Sequence, residues 1–493
     1  PMDELTPLSN ATLINLPKDI RVPRYDRSTL SAGMVHIGLG NFHRAHQAWY
    51  LHRLFDAGLN HDWAIIGAGV RANDAAQRER LLAQDCLTTL IELDPSGKSV
   101  ELCGAMIDFV PVDPDNAALI AQMADPAIRI VSLTVTEGGY FIDPATGGFD
   151  GTHPDMQHDA ANPQSPRTAF GAIIAALKLR RDGGHGPFTC MSCDNLQGNG
   201  KVLRQTVLSL ARLSDPALAD WIEAECSFPN SMVDCIVPAT GPSELALARS
   251  FGINDAAPVT HENYRQWVIE DDFCAGRPDW DKVGATFSNR VHDFEAMKIR
   301  VLNGGHQIIA SAGELLARQT ISGTMAHAGI AAMLDKVVRE EIAHHVAPVP
   351  DCTADQYLTL ISRRFANDQI ADTTRRVAFD GSSRDPGFIV PSIRKGLSEG
   401  TPVNGLAFVT AIWAHYCAGV RENGEAIEAN DPNWASLHAT AQVAKSDPVA
   451  WLEMRQLYGD LADHPEFVGN FTHWLNLLNS DGVEAAIYAY ISG

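Results

Sequence analysis

Lys298, Asn303 and His306 stand within nine residues of one another in the run Lys298-Ile-Arg-Val-Leu-Asn303-Gly-Gly-His306. An amine, a carboxamide and an imidazole are the groups needed to take a proton from an alcohol and to steady the alkoxide left behind. On an α-helix turning about 100° per residue, with Lys298 at zero, Glu295 falls near ~60°, His306 near ~80°, Asn303 near ~140° and Arg300 at roughly 200°. Four polar groups then share one side, and burying them together is costly unless they bond one another or a ligand. The same residues also fit a solvated helix face on which Asn303 caps the helix before Gly304-Gly305.

A second chemistry is written near the start of the chain. Gly38-Leu39-Gly40-Asn41-Phe42-His43 supplies the first two glycines of a GxGxxG turn, and His43 stands in place of the third. Two glycines let the backbone approach a pyrophosphate, whose charge the amides at a helix start would favour. Asp74 follows the next strand through Gly67-Ala-Gly69-Val-Arg71-Ala-Asn73 and could accept from both hydroxyls of an adenosine ribose, at a longer spacing than usual. A tight structural turn and a helix-capping Asp fit these residues as well. No metal site is expected. Cys190-Met-Ser-Cys193 would point its two thiols to opposite faces of a strand, and His43 and His46 lack the HExxH arrangement.

These groups need elements to hold them. Met34–Gly38 and Trp63–Gly67 read as strands around a helix from Phe42 to Asp56, which makes a βαβ unit. Thr88–Leu93 and Ser99–Cys103 flank the turn residues Asp94-Pro-Ser-Gly-Lys98 and predict an inserted hairpin. Further core strands are expected at Ile128–Val135, Phe188–Ser192 and around Met232–Val237, and a long surface loop at Gly147–Pro166. Beyond about residue 285 the pattern turns to long helical stretches, including Ile308–Arg318, Ile330–His345, Gly405–Ala418, Trp451–Leu478 and Val483–Ile491. The expected fold class is therefore α/β, with a Rossmann-type N-terminal domain over 1–285 and a mainly α-helical C-terminal domain over 286–493.

The 493 residues exceed what one compact domain usually holds, and 45% hydrophobic with 20% charged residues is ordinary for a globular protein. No apolar run is long enough to span a bilayer. A net charge of −22 opposes attraction to nucleic-acid phosphates or anionic lipid, so small neutral partners fit better. Nine scattered cysteines predict reduced thiols, and the start, Pro1-Met2-Asp3-Glu4-Leu5, lacks the regions of a secretory signal. A cytoplasmic location is the expectation.

The combination of GxGxFHRAH at Gly38–His46, Ser192-Cys-Asp-Asn195 with Asn199-Gly200, Val233-Asp234, and KxRxLNGxH at Lys298–His306 resembles the polyol-specific long-chain dehydrogenase/reductase family. The resemblance runs from about Gly33 to at least Arg384. It implies NAD(P)-dependent, metal-independent interconversion of a sugar alcohol and a ketose, and NAD is favoured over NADP because Asp74 is retained. It further implies Lys298 as general base, Asn195 and Asn303 as oxyanion donors, His306 as the orienting imidazole, and Glu137 and Glu295 as nearby carboxylates. Asp234, Arg376 and Arg384 would line the polyol site, with Gly38, Gly40, Asn41, Phe42 and Asp74 around the cofactor. Two positions depart from the pattern: Cys235 replaces an Arg, and Asn73 replaces the first of an acidic pair. A neutral hexitol such as mannitol is the expected substrate. A uronate reductase such as one acting on fructuronate, an arabinitol dehydrogenase, or a noncatalytic NAD-binding sensor are the alternatives. A monomer is compatible with the sequence, which does not set the oligomeric state.

Overall fold

The computed structural model describes residues 5–493, with the side chain of Glu137 outside the described set. The chain divides into two compact units, one running to His292 and a second over Asp293–Gly493.

In the first unit, strands β1 (Ala32–Ile37), β2 (Ala64–Ala68), β5 (Met106–Phe109), β6 (Ile130–Leu133) and β7 (Thr189–Ser192) form one parallel sheet in the order β5-β2-β1-β6-β7. Counted within this sheet alone, the order is 3-2-1-4-5, the doubly wound arrangement, and its chain reverses direction of travel between β1 and β6. Residues of period two feed opposite faces. Val35, Ile37, Val131, Leu133 and Cys190 join one apolar cluster, while Met34, Ile130 and Met191 join the other. Each fully covered Ile, Leu or Val contributes about 1.5–3 kcal/mol relative to exposure, so the pattern fixes both register and layers. Cys190 and Cys193 fall in opposite clusters, as free thiols.

Strands β3 (Thr88–Asp94) and β4 (Gly97–Cys103) pair antiparallel as the expected hairpin, and β3 also pairs with β9 (Val259–Glu262). Three details of this unit differ from the sequence reading, and in the second unit the helical stretch expected over Trp451–Leu478 is broken into Val449–Leu452, Arg455–Tyr458 and Pro465–Asp481. The strand at Met232 is β8 (Ser231–Asp234), and it leaves the parallel sheet to pair antiparallel with β10 (Gln266–Ile269), which pairs in turn with β11 (Thr286–Phe287). The segment read as a loop holds a helix, Pro154–Ala161, because Pro154 at its first position presets the helical φ and His153 accepts from Asp155 N–H. The helix expected over Phe42–Asp56 breaks at His46 (φ −117°, ψ −91°) into Asn41–Ala45 and Gln47–Asp56.

The second unit is helical. Asn404–Cys417 is covered on nearly every side, with Phe408 against Trp474 of the helix Pro465–Asp481 at 4.6 Å between ring centres. The buried carboxylate of Glu341 accepts from the N–H groups of Gly405 and Leu406 at 2.7 and 3.0 Å, which satisfies donors that a helix start leaves open. Glu341 ends up on a π-helical stretch, Val338–Ile342, that continues the helix Ala328–Val337. Among the described residues no helix is long and apolar enough to cross a membrane.

Candidate active site

In the first unit the glycine turn sits directly at the C-terminal end of β1. Gly38 has φ +116°, and a Cβ there would lie 2.3 Å from the Thr134 carbonyl oxygen at the end of β6, so only glycine fits. Gly40 precedes the helix Asn41–Ala45 and has open space where a side chain would stand. The turn therefore offers bare backbone at the crevice between β1 and β6, which fits a dinucleotide pyrophosphate.

The two residues after it are more committed. Asn41 donates to the Pro238 carbonyl (3.2 Å) and the Thr240 hydroxyl (2.8 Å) and accepts from Arg44 (2.9 Å), so its side chain ties the turn to the segment after β8. Phe42 stacks on His46 at 4.9 Å. His43, in the place of the third glycine, lies flat against His36 of β1 with ring centres 3.3 Å apart. Burial lowers the His43 pKa to about 3, with His46 and Arg44 adding to the effect and the Gln47 hydrogen bond opposing it. His36 is bonded to Ser132 (2.7 Å) and Thr134 (2.8 Å) and is also held neutral by burial. The FHRAH run is thus a buried polar seam that fastens the turn to the sheet.

Asp74 begins the helix Asp74–Leu82, and its Oδ2 accepts from the N–H groups of Val70 (3.1 Å) and Arg71 (3.0 Å). One oxygen thus shapes the loop after β2. Capping and ribose binding do not exclude each other here.

Asn195 is exposed just beyond β7, and the groups behind it are buried. Asp194 accepts from Val135 N–H (3.0 Å), Thr136 N–H (2.9 Å) and the Tyr140 hydroxyl, and so holds the loop that carries Glu137. Asn199 donates to the Asp194 and Ser231 carbonyls at 3.1 and 2.8 Å and accepts from Ser231 N–H at 2.9 Å. That clamp joins the Asn195 segment to β8, whose last residue is the buried Asp234. A Cβ on Gly200 would lie 2.4 Å from the Pro229 carbonyl oxygen, which explains the Asn199-Gly200 pair. Cys235 is buried, with its thiol facing the Ile236 carbonyl at 3.8 Å.

The helix Val291–Met297, which runs into the second unit at Asp293, passes into a π-helical segment, Lys298–Asn303, and then into the helix Gly304–Leu315. The capping role of Asn303 is overturned, since it is helical (φ −67°, ψ −41°) and the chain runs on through both glycines. Gly304 and Gly305 instead allow close packing: a Cβ on Gly305 would lie 3.3 Å from Phe365. The π geometry also corrects the angular reading. Segments bonded i→i+5 turn roughly 80–85° per residue, so Asn303 comes round to about 50° from Lys298 and His306 to within about 10–20°. With Glu295 still near ~60°, the four groups share a narrower arc than an unbroken α-helix would give them. Lys298 and Glu295 are buried, each about 7% exposed.

His306 stacks on Phe365 at 4.2 Å, and its buried Nε2 has no hydrogen-bond partner among the described residues. Burial lowers its pKa to about 4; Asp372 opposes the shift, and Arg376, Arg364 and Arg384 add to it. A neutral imidazole with an unmatched nitrogen is suited to a ligand hydroxyl. Arg376 makes a bidentate pair with Asp372 (2.6 and 2.8 Å), while Arg384 donates to the Val377 carbonyl at 2.6 Å. The structure therefore gathers His306, Arg376 and Arg384 in one electrostatic neighbourhood. Among the described residues no group of three or more His, Cys, Asp or Glu side chains is placed to hold a metal ion.

Asp372 and Asp385 were not singled out from the sequence. Asp372 stands four residues before Arg376, a helical ion-pair spacing that was open to reading. Asp385 follows Arg384 and is fully buried; burial raises its pKa to about 7, opposed by its neighbours Tyr458 and Gln307. From the ordinary 3.8 to about 7 the folded state binds the proton that the unfolded chain releases, so stability falls as pH rises through this window. Asp385→Asn is expected to flatten that fall. Its Tm should exceed that of the parent at pH 8, by the equivalent of up to ~4 kcal/mol, with the gap closing near pH 4. A Tm difference independent of pH would contradict the assignment.

The mannitol dehydrogenase Rossmann-domain model matches residues 32–282, and the mannitol dehydrogenase C-terminal-domain model matches residues 290–479. The mannitol 2-dehydrogenase of Cereibacter sphaeroides is 55% identical over 477 residues, 97% of this chain and 100% of that protein. That of Aspergillus fumigatus is 38% identical over 481 residues, 96% of each. Among solved structures, the Pseudomonas fluorescens mannitol 2-dehydrogenase in ternary complex with NAD and D-mannitol aligns with a TM-score of 0.85 at 39% identity, covering 99% of this chain and 100% of that one. A D-sorbitol dehydrogenase in substrate-free form aligns at 0.92 with 34% identity, covering 97% and 100%.

Proposed function

Since the chain belongs to the mannitol dehydrogenase family, we propose that it oxidises D-mannitol to D-fructose with NAD and runs the reverse reduction. The observation that carries the chemistry is the buried Lys298 at the head of a π segment that turns Asn303 onto the same face. The choice of mannitol is supported by the 55% identity to a mannitol 2-dehydrogenase along nearly the whole chain.

NAD, when bound, supplies the hydride acceptor. The Gly38-Leu39-Gly40 turn would hold its pyrophosphate, and Asp74 its ribose. In oxidation, Lys298 acts as the neutral amine that takes the carbinol proton, and in reduction its ammonium returns that proton. Asn303 and Asn195 donate their carboxamide N–H groups to the oxygen as negative charge develops on it. His306 stays neutral and uses Nε2 to orient a substrate hydroxyl, and Asp234 and Arg384 bind the polyol chain. Glu137 and Glu295 are assigned to proton movement around the base.

Arg376 already has its charge matched by Asp372, which favours hydroxyl groups over the carboxylate that a uronate would bring. The test is a screen of NAD and NADP reduction against mannitol, arabinitol, sorbitol and a uronate-derived alcohol. Mannitol with NAD should give the highest kcat/KM. A preference for the uronate-derived alcohol would replace this reading with the uronate one, and NAD binding without any polyol-dependent reduction would favour a sensor.

The cofactor assignment is tested by Asp74→Asn, which keeps an oxygen to accept from Val70 and Arg71 but removes the charge that repels a 2′-phosphate. The NAD over NADP ratio of kcat/KM should fall at least about tenfold. An equal change with both cofactors would count against Asp74 as the selectivity residue.

A further inference from the structure

Arg300 lies within the π segment but turns away from Lys298, by about 165° at the π repeat. It faces a cavity of about 560 Å³ that is built wholly within the second unit, lined also by His345, Ser392, Arg394, Lys395 and Ser398. This volume is that of a small-molecule site. Its polar lining is dominated by cations and hydroxyls.

The charges are unevenly matched. Arg394 is paired with Asp460 (2.7 Å) and donates to the Tyr458 carbonyl, while Lys395 (2.9 Å) and His345 (3.0 Å) share the one carboxylate of Glu399. Among the described residues Arg300 has no ion pair. A guanidinium without a carboxylate partner costs free energy that an anionic ligand in the cavity it lines would recover. The planar fork of Arg300, with serine hydroxyls and two further cations around one cavity, matches a tetrahedral oxyanion on a small body.

We propose that this cavity is a second ligand site, separate from the catalytic face, which takes a small phosphate-bearing molecule of sugar-phosphate size. The phosphate sits on Arg300, and the Lys395 and Arg394 side supplies the remaining attraction. Glu399 lies against Lys395 and His345 and limits how much negative charge the far side accepts.

The test is calorimetric titration of the full-length protein with a hexose phosphate, inorganic phosphate and citrate at constant ionic strength, repeated with saturating NAD. The hexose phosphate should bind, inorganic phosphate more weakly, citrate not measurably, and NAD should not compete. Arg300→Met should weaken the hexose phosphate at least tenfold. Lys395→Met, on the rim, should weaken it severalfold while leaving mannitol oxidation unchanged, and it serves where Arg300→Met is poorly folded. Absence of phosphate binding, full competition by NAD, citrate binding as tight as the hexose phosphate, or unchanged affinity in Lys395→Met and a folded Arg300→Met would each overturn the proposal.

Discussion

Lys298→Ala is expected to lower kcat for mannitol oxidation by about 10²–10⁴ while NAD still binds. Lys298 is buried at the junction between the helix Val291–Met297 and the π segment, so the substitution removes the amine without breaking either element. The remaining rate should lose the limb of its pH profile that reports deprotonation of the base. A small primary amine added to the folded variant should restore part of the rate by occupying the vacated space. Near-native oxidation with an unchanged pH profile in a folded, NAD-competent variant would remove Lys298 from the mechanism.

Asn303→Ala should cost on the order of 10²–10³ in kcat, with a smaller change in KM, because its donor matters most when charge sits on the substrate oxygen. Asn303 is only half-buried and is not a cap, so circular dichroism and Tm should stay close to the parent values. A loss confined to KM would make it a ground-state binding residue instead.

The α/β order was legible because β1, β2 and β6 are short apolar runs, buried on both faces and separated by amphipathic helical stretches, and that order survives in one sequence. The reactive run at Lys298 was legible for a different reason: amine, carboxamide and imidazole recur there at helical spacing. Its real geometry was not, since i→i+5 bonding over Lys298–Asn303 is rare and carries no residue-type signature in the run. The same limit explains β8, whose four residues read as a core strand in either sheet. The long-range clamps of Asp194 and Asn199 join residues far apart in the chain, and no local pattern announces them. Asp74 shows a further limit, because one carboxylate can shape a loop as well as serve a ligand.

The account is tested most directly by incubating the protein with NAD and D-mannitol deuterated at C2 and C5, then identifying both products by mass spectrometry and NMR. It predicts D-fructose and a reduced cofactor carrying one deuterium, formed together in equal amounts. Reduced cofactor without deuterium, an aldose in place of fructose, or no reduction by a folded and NAD-bound protein would contradict it.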